Sequence, residues 1–188
     1  ITNKVTLSGS GAQVQAAAAA LNTIHADTNA NVTGTDYTAA QLKGINDKVG
    51  GTITLADSVA VALTGSAGDL VSALAGNFTA AHNAEVKVTG NYTVSQLKAI
   101  NAGTSGALHL DDKTVALSGT AANVKAALAG NFTSNQEHIG VVTISDATNA
   151  TVTATDITDI STAKPSGNIN ITNKVTLSGS GAQVQAAA

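Results

Sequence analysis

Residues 1–18 of the chain read ITNKVTLSGSGAQVQAAA, and residues 171–188 read the same. An identity of that length does not arise by chance, so at residue 171 the chain returns to its own beginning. A chain made of repeats buries the apolar face of each repeat against its neighbours rather than in one closed core. Weaker repeats lie inside the period. The first motif is VTLSGSGAQVQAAAAALN from Val5, VALTGSAGDLVSALAGN from Val61, VALSGTAANVKAALAGN from Val115, and the truncated return from Val175. The near-even spacing of these starts is the mark of a repeat array. The second motif is VTGTDYTAAQLKGIN from Val32 and VTGNYTVSQLKAIN from Val88, with a degenerate copy, VTATDITDISTAKP, from Val152. A third element, GTITLADS, GALHLDDK or GNINITNK, precedes a copy of the first motif.

Each unit reads strand, strand, helix, strand, helix. The segments TITL, VAVALTG and EVKVTG are rich in β-branched residues, the strand signal. Gly9, Gly65, Gly90 and Gly119 follow as turn residues. Ser10 with Gln13, Thr38 with Gln41, Ser66 with Asp69, Thr93 with Gln96, and Thr120 with Asn123 are helix-start pairs. Gly76, Gly103 and Gly130 stand where helices should stop. In the degenerate copy Pro165 falls where the helix should still run, so that helix is expected to be shortened or lost. Helices of about ten residues are too short to stand alone in water and must pack on a sheet, with Leu74 and Leu128 buried in the contact. Short strands alternating with short helices favour parallel pairing and right-handed crossovers. The expected fold class is α/β, a repeat solenoid of short parallel strands and short Ala-rich helices. Its units are of about 56 residues, set in a period of about 170 residues. They span approximately 5–60, 61–114 and 115–174, with a partial unit 175–188, in one continuous array. Val61, Val115 and Val175 are expected to hold equivalent positions in successive turns of one parallel sheet.

The T-x-x-Q-L-x-x-I-N pattern at Thr38–Asn46 and Thr93–Asn101, interleaved with V-x-L-S/T-G-S/T, resembles the tandem α/β repeat regions of giant bacterial, cyanobacterial-type cell-surface and adhesin-like proteins. The resemblance implies a scaffold at the cell surface or outside the cell, and it transfers no catalytic residue.

Composition narrows the partners. Aromatic residues are 2% of the chain, Cys and Met are absent, and the apolar mass is Ala, Val, Leu and Ile. Without Cys there is no disulfide framework and no thiolate ligand. Without Met at residue 1, the stretch is expected not to begin at a native N-terminus. The nine basic residues are all Lys and the net charge is −3, which argues against nucleic acid as a partner. No apolar run approaches the ~20 residues of a membrane span.

Candidate chemistry is sparse. His82 and His138 fall after helices at similar distances from Val61 and Val115, the spacing a metal ladder would use; as solvated loop residues they need no such role. Asp57, Asp111 and Asp112 in the turns between strands are the weak metal candidates, with calcium as the ion; turn chemistry also accounts for them. Asp36, Asp156 and Asp159 lie near starts of the second-motif helices. Asn-x-Ser/Thr triplets begin at Asn31, Asn77, Asn91, Asn131, Asn149 and Asn170. No Ser, His and acid recur with catalytic spacing, and repeated units do not build one asymmetric active site. The expectation is a non-enzymatic structural protein with no cofactor, forming an extracellular filament, sheath or surface-layer component. It would associate head to tail or continue as a giant chain. The alternative is a calcium-dependent adhesin stalk or binding module.

Overall fold

Six helices begin where a hydroxyl side chain meets a run of small residues. Ser10, Thr38, Ser66, Thr93, Thr120 and Thr153 each accept a hydrogen bond from the backbone N–H three residues on. At Ser10, Thr38 and Thr93 the Gln three residues later returns the contact, closing a capping box. The computed structural model describes residues 2–56, 61–164 and 166–187. In chain order the elements are β1 Thr6–Gly9, α1 Gly11–Ala20, β2 Asn29–Val32, α2 Ala39–Asn46, β3 Ile53–Leu55, β4 Leu63–Ser66 and α3 Ala67–Leu74. They continue as β5 Val86–Thr89, α4 Val94–Gly103, β6 Leu108–Leu110, β7 Leu117–Gly119, α5 Ala121–Leu128 and β8 Val142–Ile144. The last are β9 Thr151–Thr153, α6 Ala154–Ala163, β10 Ile169–Ile171, β11 Thr176–Ser178 and α7 Gly181–Ala187.

The fold is mixed α/β. The strand pairs are all parallel among the described residues, in small sheets of order β1-β2-β3, β4-β5-β6, β7-β8-β10 and β9-β11. The helices pack in chain order, α1 on α2, α2 on α3, and so on to α7. The buried side chains Val14, Leu42, Leu70, Leu97, Val124 and Ile157 belong to α1 through α6, and one continuous apolar cluster joins them to the strands. Leu74 and Leu128 are buried, as expected.

Two spacings explain the sheet pattern. The helices begin at Gly11, Ala39, Ala67, Val94, Ala121, Ala154 and Gly181, a nearly even step that lengthens once, between α5 and α6. Paired strand residues lie closer together along the chain. In the first two sheets Thr6 pairs with Asn29, Ala30 with Ile53, Leu63 with Val86, and Val86 with Leu108. Strands therefore fall behind the helices at each step. One residue separates β1 from α1, six separate β2 from α2, and eleven separate β3 from α3. Within that last gap the chain forms a new strand, β4, which abuts α3 and starts the next sheet. The second sheet repeats the drift, and β7 forms in the gap after β6. The two-helix sequence unit is thus the interval at which a fresh strand fits.

That drift overturns one expectation. Val61, Val115 and Val175 precede β4, β7 and β11, which lie in three different sheets. Leu63 pairs with Val86 and Leu117 with Val142, both further along the chain, whereas Thr176 pairs backward with Thr151. None of these first-motif strands pairs with the next copy of its own motif. The degenerate copy also departs from its expected place. Val152 lies in β9, a strand that runs straight into its helix, while β8 occupies the middle position that β5 holds in the second sheet. The helix expected to shrink is intact: α6 has 10 residues, as many as α4, because its cap Thr153 starts it earlier in the motif. Pro165 lies outside the described residues, beyond the C-cap Lys164.

Gly76 and Gly130 follow the ends of α3 and α5 without a left-handed φ. They serve close packing instead. A Cβ at Gly130 would meet Leu108 Cδ1 at 2.5 Å, and one at Gly76 would meet Ile53 Cδ1 at 2.9 Å. Gly9 and Gly90 do hold positive φ, at 151° and 69°, as turn residues.

Candidate functional site

The polar groups divide into those that tie one element to another and those held in local turns. Asp111 and Asp112 follow β6. Asp111 Oδ1 forms an ion pair of 2.8 Å with Lys87 Nζ on β5 and lies 3.7 Å from His109 Nε2. Asp112 Oδ1 accepts from the Thr114 hydroxyl at 2.6 Å and from the Thr114 N–H at 2.9 Å. That local turn, above all the hydroxyl, holds the Asp112 carboxyl below its usual pKa. Each carboxylate thus has a partner within the chain. Asp57 lies outside the described residues. Asp156 and Asp159 converge on Lys125 of α5, at 2.9 and 2.7 Å, tying α6 to α5. Among the described residues, no group of three or more His, Asp or Glu side chains is gathered as metal ligands would be.

The loop histidines are not solvated. His82 and His138 are fully buried. His82 Nε2 lies 2.8 Å from the carbonyl of Val61, 21 residues earlier in the chain. A carbonyl only accepts, so Nε2 carries the proton and Nδ1 is the bare, buried nitrogen. His138 Nδ1 meets the hydroxyl of Tyr92 at 3.0 Å, with the two rings edge to face. Burial lowers both pKa values. For His138 the nearby Lys164 charge adds to burial, against the Gly140 backbone and Asp112, and the result is about 4. Tyr92 is pushed upward by burial and then by Asp112. The Lys164 stem is buried, its ammonium donates to the Ser166 carbonyl, and burial lowers its pKa. Sequence reading missed this inward set because both histidines sit in polar, turn-like stretches. The one signal was their similar offset from copies of the first motif.

A second group escaped notice. Asn46, the last residue of α2, donates through Nδ2 to the Ser72 carbonyl in α3 at 2.9 Å. Asn101 in α4 does the same to Ala126 in α5 at 3.0 Å. These are the final Asn residues of the two intact second motifs, so the motif's closing position is a tie between adjacent helices.

Shallow cavities lie between neighbouring helices and strands. One of about 350 Å³ lies between α4 and β7–α5, lined by Val94, Ser95, Lys98, Ser118, Gly119 and Asn123. Lys98 Nζ crosses it to Asn123 Oδ1 at 2.8 Å. Among the described residues, no helix is long and apolar enough to cross a membrane. No protein-family model, no curated protein and no solved structure matches this chain.

Proposed function

We propose that the chain is a stretch of a non-enzymatic structural repeat protein, an α/β solenoid that belongs to an extracellular filament, sheath or surface layer. The observation that carries this reading is that contacts between turns recur with the sequence unit. Ile53 donates to the Asn77 carbonyl and accepts from the Thr79 N–H, and Leu108 makes the same pair with Asn131 and Thr133. Asn46 and Asn101 repeat their helix-to-helix tie one unit apart. A joint that two successive units make alike suits extension without limit. The Cys- and Met-free composition and the resemblance to surface-protein repeats support a place outside the cell.

The reading sets a shape. Parallel strands stack about 4.8 Å apart, whereas helices pack about 8–10 Å apart. The six helix intervals from α1 to α7, one full period, therefore advance about 30 Å along the strands and about 50 Å along the helices. The array bends with its helices outward, and the small Ala side chains limit the bend. Chains of one, two and three tandem periods, measured by small-angle X-ray scattering, should lengthen by a constant step in that range at constant cross-section. A compact particle whose radius rises only with the cube root of mass would overturn the solenoid. Melting with and without calcium addresses the adhesin alternative, since a rise of many degrees with calcium would favour it.

A further inference from the structure

Two of the Asn-x-Thr triplets hold the same place one unit apart. Asn77–Phe78–Thr79 follows α3, and Asn131–Phe132–Thr133 follows α5. Each triplet is tied to a neighbouring strand. Ile53 of β3 bonds to the Asn77 carbonyl and the Thr79 N–H, and Leu108 of β6 bonds to those of Asn131 and Thr133. Phe78 and Phe132, the two phenylalanines of the chain, are half-buried against the core, whereas Asn77 and Asn131 are exposed. Each asparagine also lines a cleft. The walls of the first, of about 250 Å³, include Leu74, Gly76, Asn77, Phe78 and the last two residues of α4, Ala102 and Gly103. Those of the second, of about 290 Å³, include Leu128, Gly130, Asn131 and Phe132 in the same order, with the last two residues of α6, Thr162 and Ala163. The small residues at these helix ends keep the clefts open; a Cβ at Gly76 would meet Phe78 Cε2 at 2.9 Å. Other triplets are built differently. Asn31 is half-buried in the middle strand β2. The Thr93 hydroxyl that completes the Asn91 triplet caps α4, and the Tyr92 between them is buried. Asn149 has a left-handed φ of 67°.

We propose that Asn77 and Asn131 are N-glycosylated, and that the first sugar of each glycan lies in the cleft beside its asparagine. The proposal rests on the extracellular reading above, because Asn-x-Ser/Thr is the acceptor triplet of secreted chains. The donor is an oligosaccharide joined through its anomeric carbon to a polyprenyl diphosphate. The asparagine amide nitrogen bonds to that carbon and gives up one proton. The bond from that carbon to the diphosphate oxygen breaks, and the lipid diphosphate leaves with the bonding pair. Nothing is oxidised or reduced. Transfer precedes folding of the triplet, whose backbone is later tied down by Ile53 or Leu108. The folded chain then offers each sugar an aromatic side chain for the C–H face of its ring, between walls of Gly, Ala and Thr that leave it room. A sugar seated there covers the half-buried ring and adds apolar burial where α3 meets α4 and where α5 meets α6.

Peptide mass spectrometry of the native chain should find sugar on both asparagines; either one unmodified would overturn the proposal. The seating of the sugar has its own test. The chain and its Asn77→Gln/Asn131→Gln variant are each secreted through a eukaryotic pathway and trimmed enzymatically to one sugar per site. Both are also made without sugar in a bacterial cytoplasm, as baselines. Sugar should raise the Tm of the unaltered chain by a few degrees and that of the double variant clearly less, since only the former fills the two clefts. An equal rise in both, or none in the unaltered chain, would overturn the seating. Hydrogen exchange needs no variant: sugar should slow exchange at the C-terminal ends of α3, α4, α5 and α6. Unchanged exchange there would overturn the seating if the variant fails to fold. Failure of the extracellular reading would appear separately, as lysines of this chain left unlabelled when intact source cells meet a membrane-impermeant amine reagent.

Discussion

His138 shows how one repeated side chain sets a pH response. The groups facing its ring are the Tyr92 hydroxyl, the Lys164 ammonium, which opposes a second positive charge, and Asp112, which favours one. Its folded pKa of about 4 lies below the ordinary value of 6.5 that it takes in an unfolded chain. Between those values the unfolded state binds the extra proton, so stability is complete above pH 6.5, falls as the pH drops toward 4, and levels below that. The loss amounts to about 3 kcal/mol for this one residue. His82, also lowered by burial, adds in the same direction. Asp112 and Asp156, with depressed pKa values, lose their contribution only below the ordinary carboxylate range, so the two windows separate. Urea midpoints should fall between about pH 7 and about pH 4.5 in the unaltered chain. In His138→Gln, whose amide oxygen can still accept from Tyr92, the fall should be clearly smaller; an equal fall would show that His138 is not the group responsible. Asn101 makes a second prediction at this scale. Asn101→Ala removes its bond to the Ala126 carbonyl and should cost about 1 kcal/mol, with faster amide exchange at the α4–α5 seam as the readout.

At the scale of the element, the helix is the legible unit. The five Ser or Thr starts read from the sequence are all helix caps in the structure, because a cap involves only one hydroxyl and an N–H three residues away. Thr93→Ala should therefore cost about 1 kcal/mol, measured as a lower urea midpoint, and Thr93→Ser should restore most of it. Strand partners were not legible in the same way. Which strand neighbours β4 depends on the lag between helix spacing and strand spacing, a quantity that no single segment carries. The misplaced Val152 has the same cause: its VTAT resembles VTGT locally, yet β8 had already filled the middle position. Burial of His82 and His138 was hidden because it involves Val61 and Tyr92, 21 and 46 residues earlier, and not adjacent residues. The asymmetry predicts how damage spreads. Leu128→Ala opens a cavity at a nearly fully buried site and should cost about 2–5 kcal/mol. Because α5 packs on α4 and α6, faster hydrogen exchange should appear first in those three helices and leave α1 and α2 protected. Uniform loss of protection along the chain would indicate one cooperative core instead.

For the whole molecule, the proposed solenoid is tested most directly by removal of a complete unit. Deleting residues 61–114 joins the chain before Val61 to Val115, so β7–α5 follows β3 directly. The new seam is supplied on both sides by equivalent residues. Asn46 would find the Ala126 carbonyl in place of Ser72, the partner that Asn101 already uses. Ile53, now bonded to Asn77 and Thr79, would meet Asn131 and Thr133, the pair that Leu108 holds in the intact chain. Gly130 would replace Gly76, and Phe132 would replace Phe78 in the bridge to Ile53. Thr120 would still cap its helix. The shortened chain should therefore fold, keep its helix content per residue, and show the exchange protection of α2 and α5 seen in the parent. A domain that closes one asymmetric core would lose its central third and unfold. Deleting half a unit, residues 61–87, provides the control: it would set the second-motif helix α2 against the second-motif helix α4 and leave Asn46 without the Ser72 carbonyl. That variant should be markedly less stable than the in-register deletion. Equal stability of the two, or collapse of both, would mean that the sequence repeat is not the physical unit of the fold.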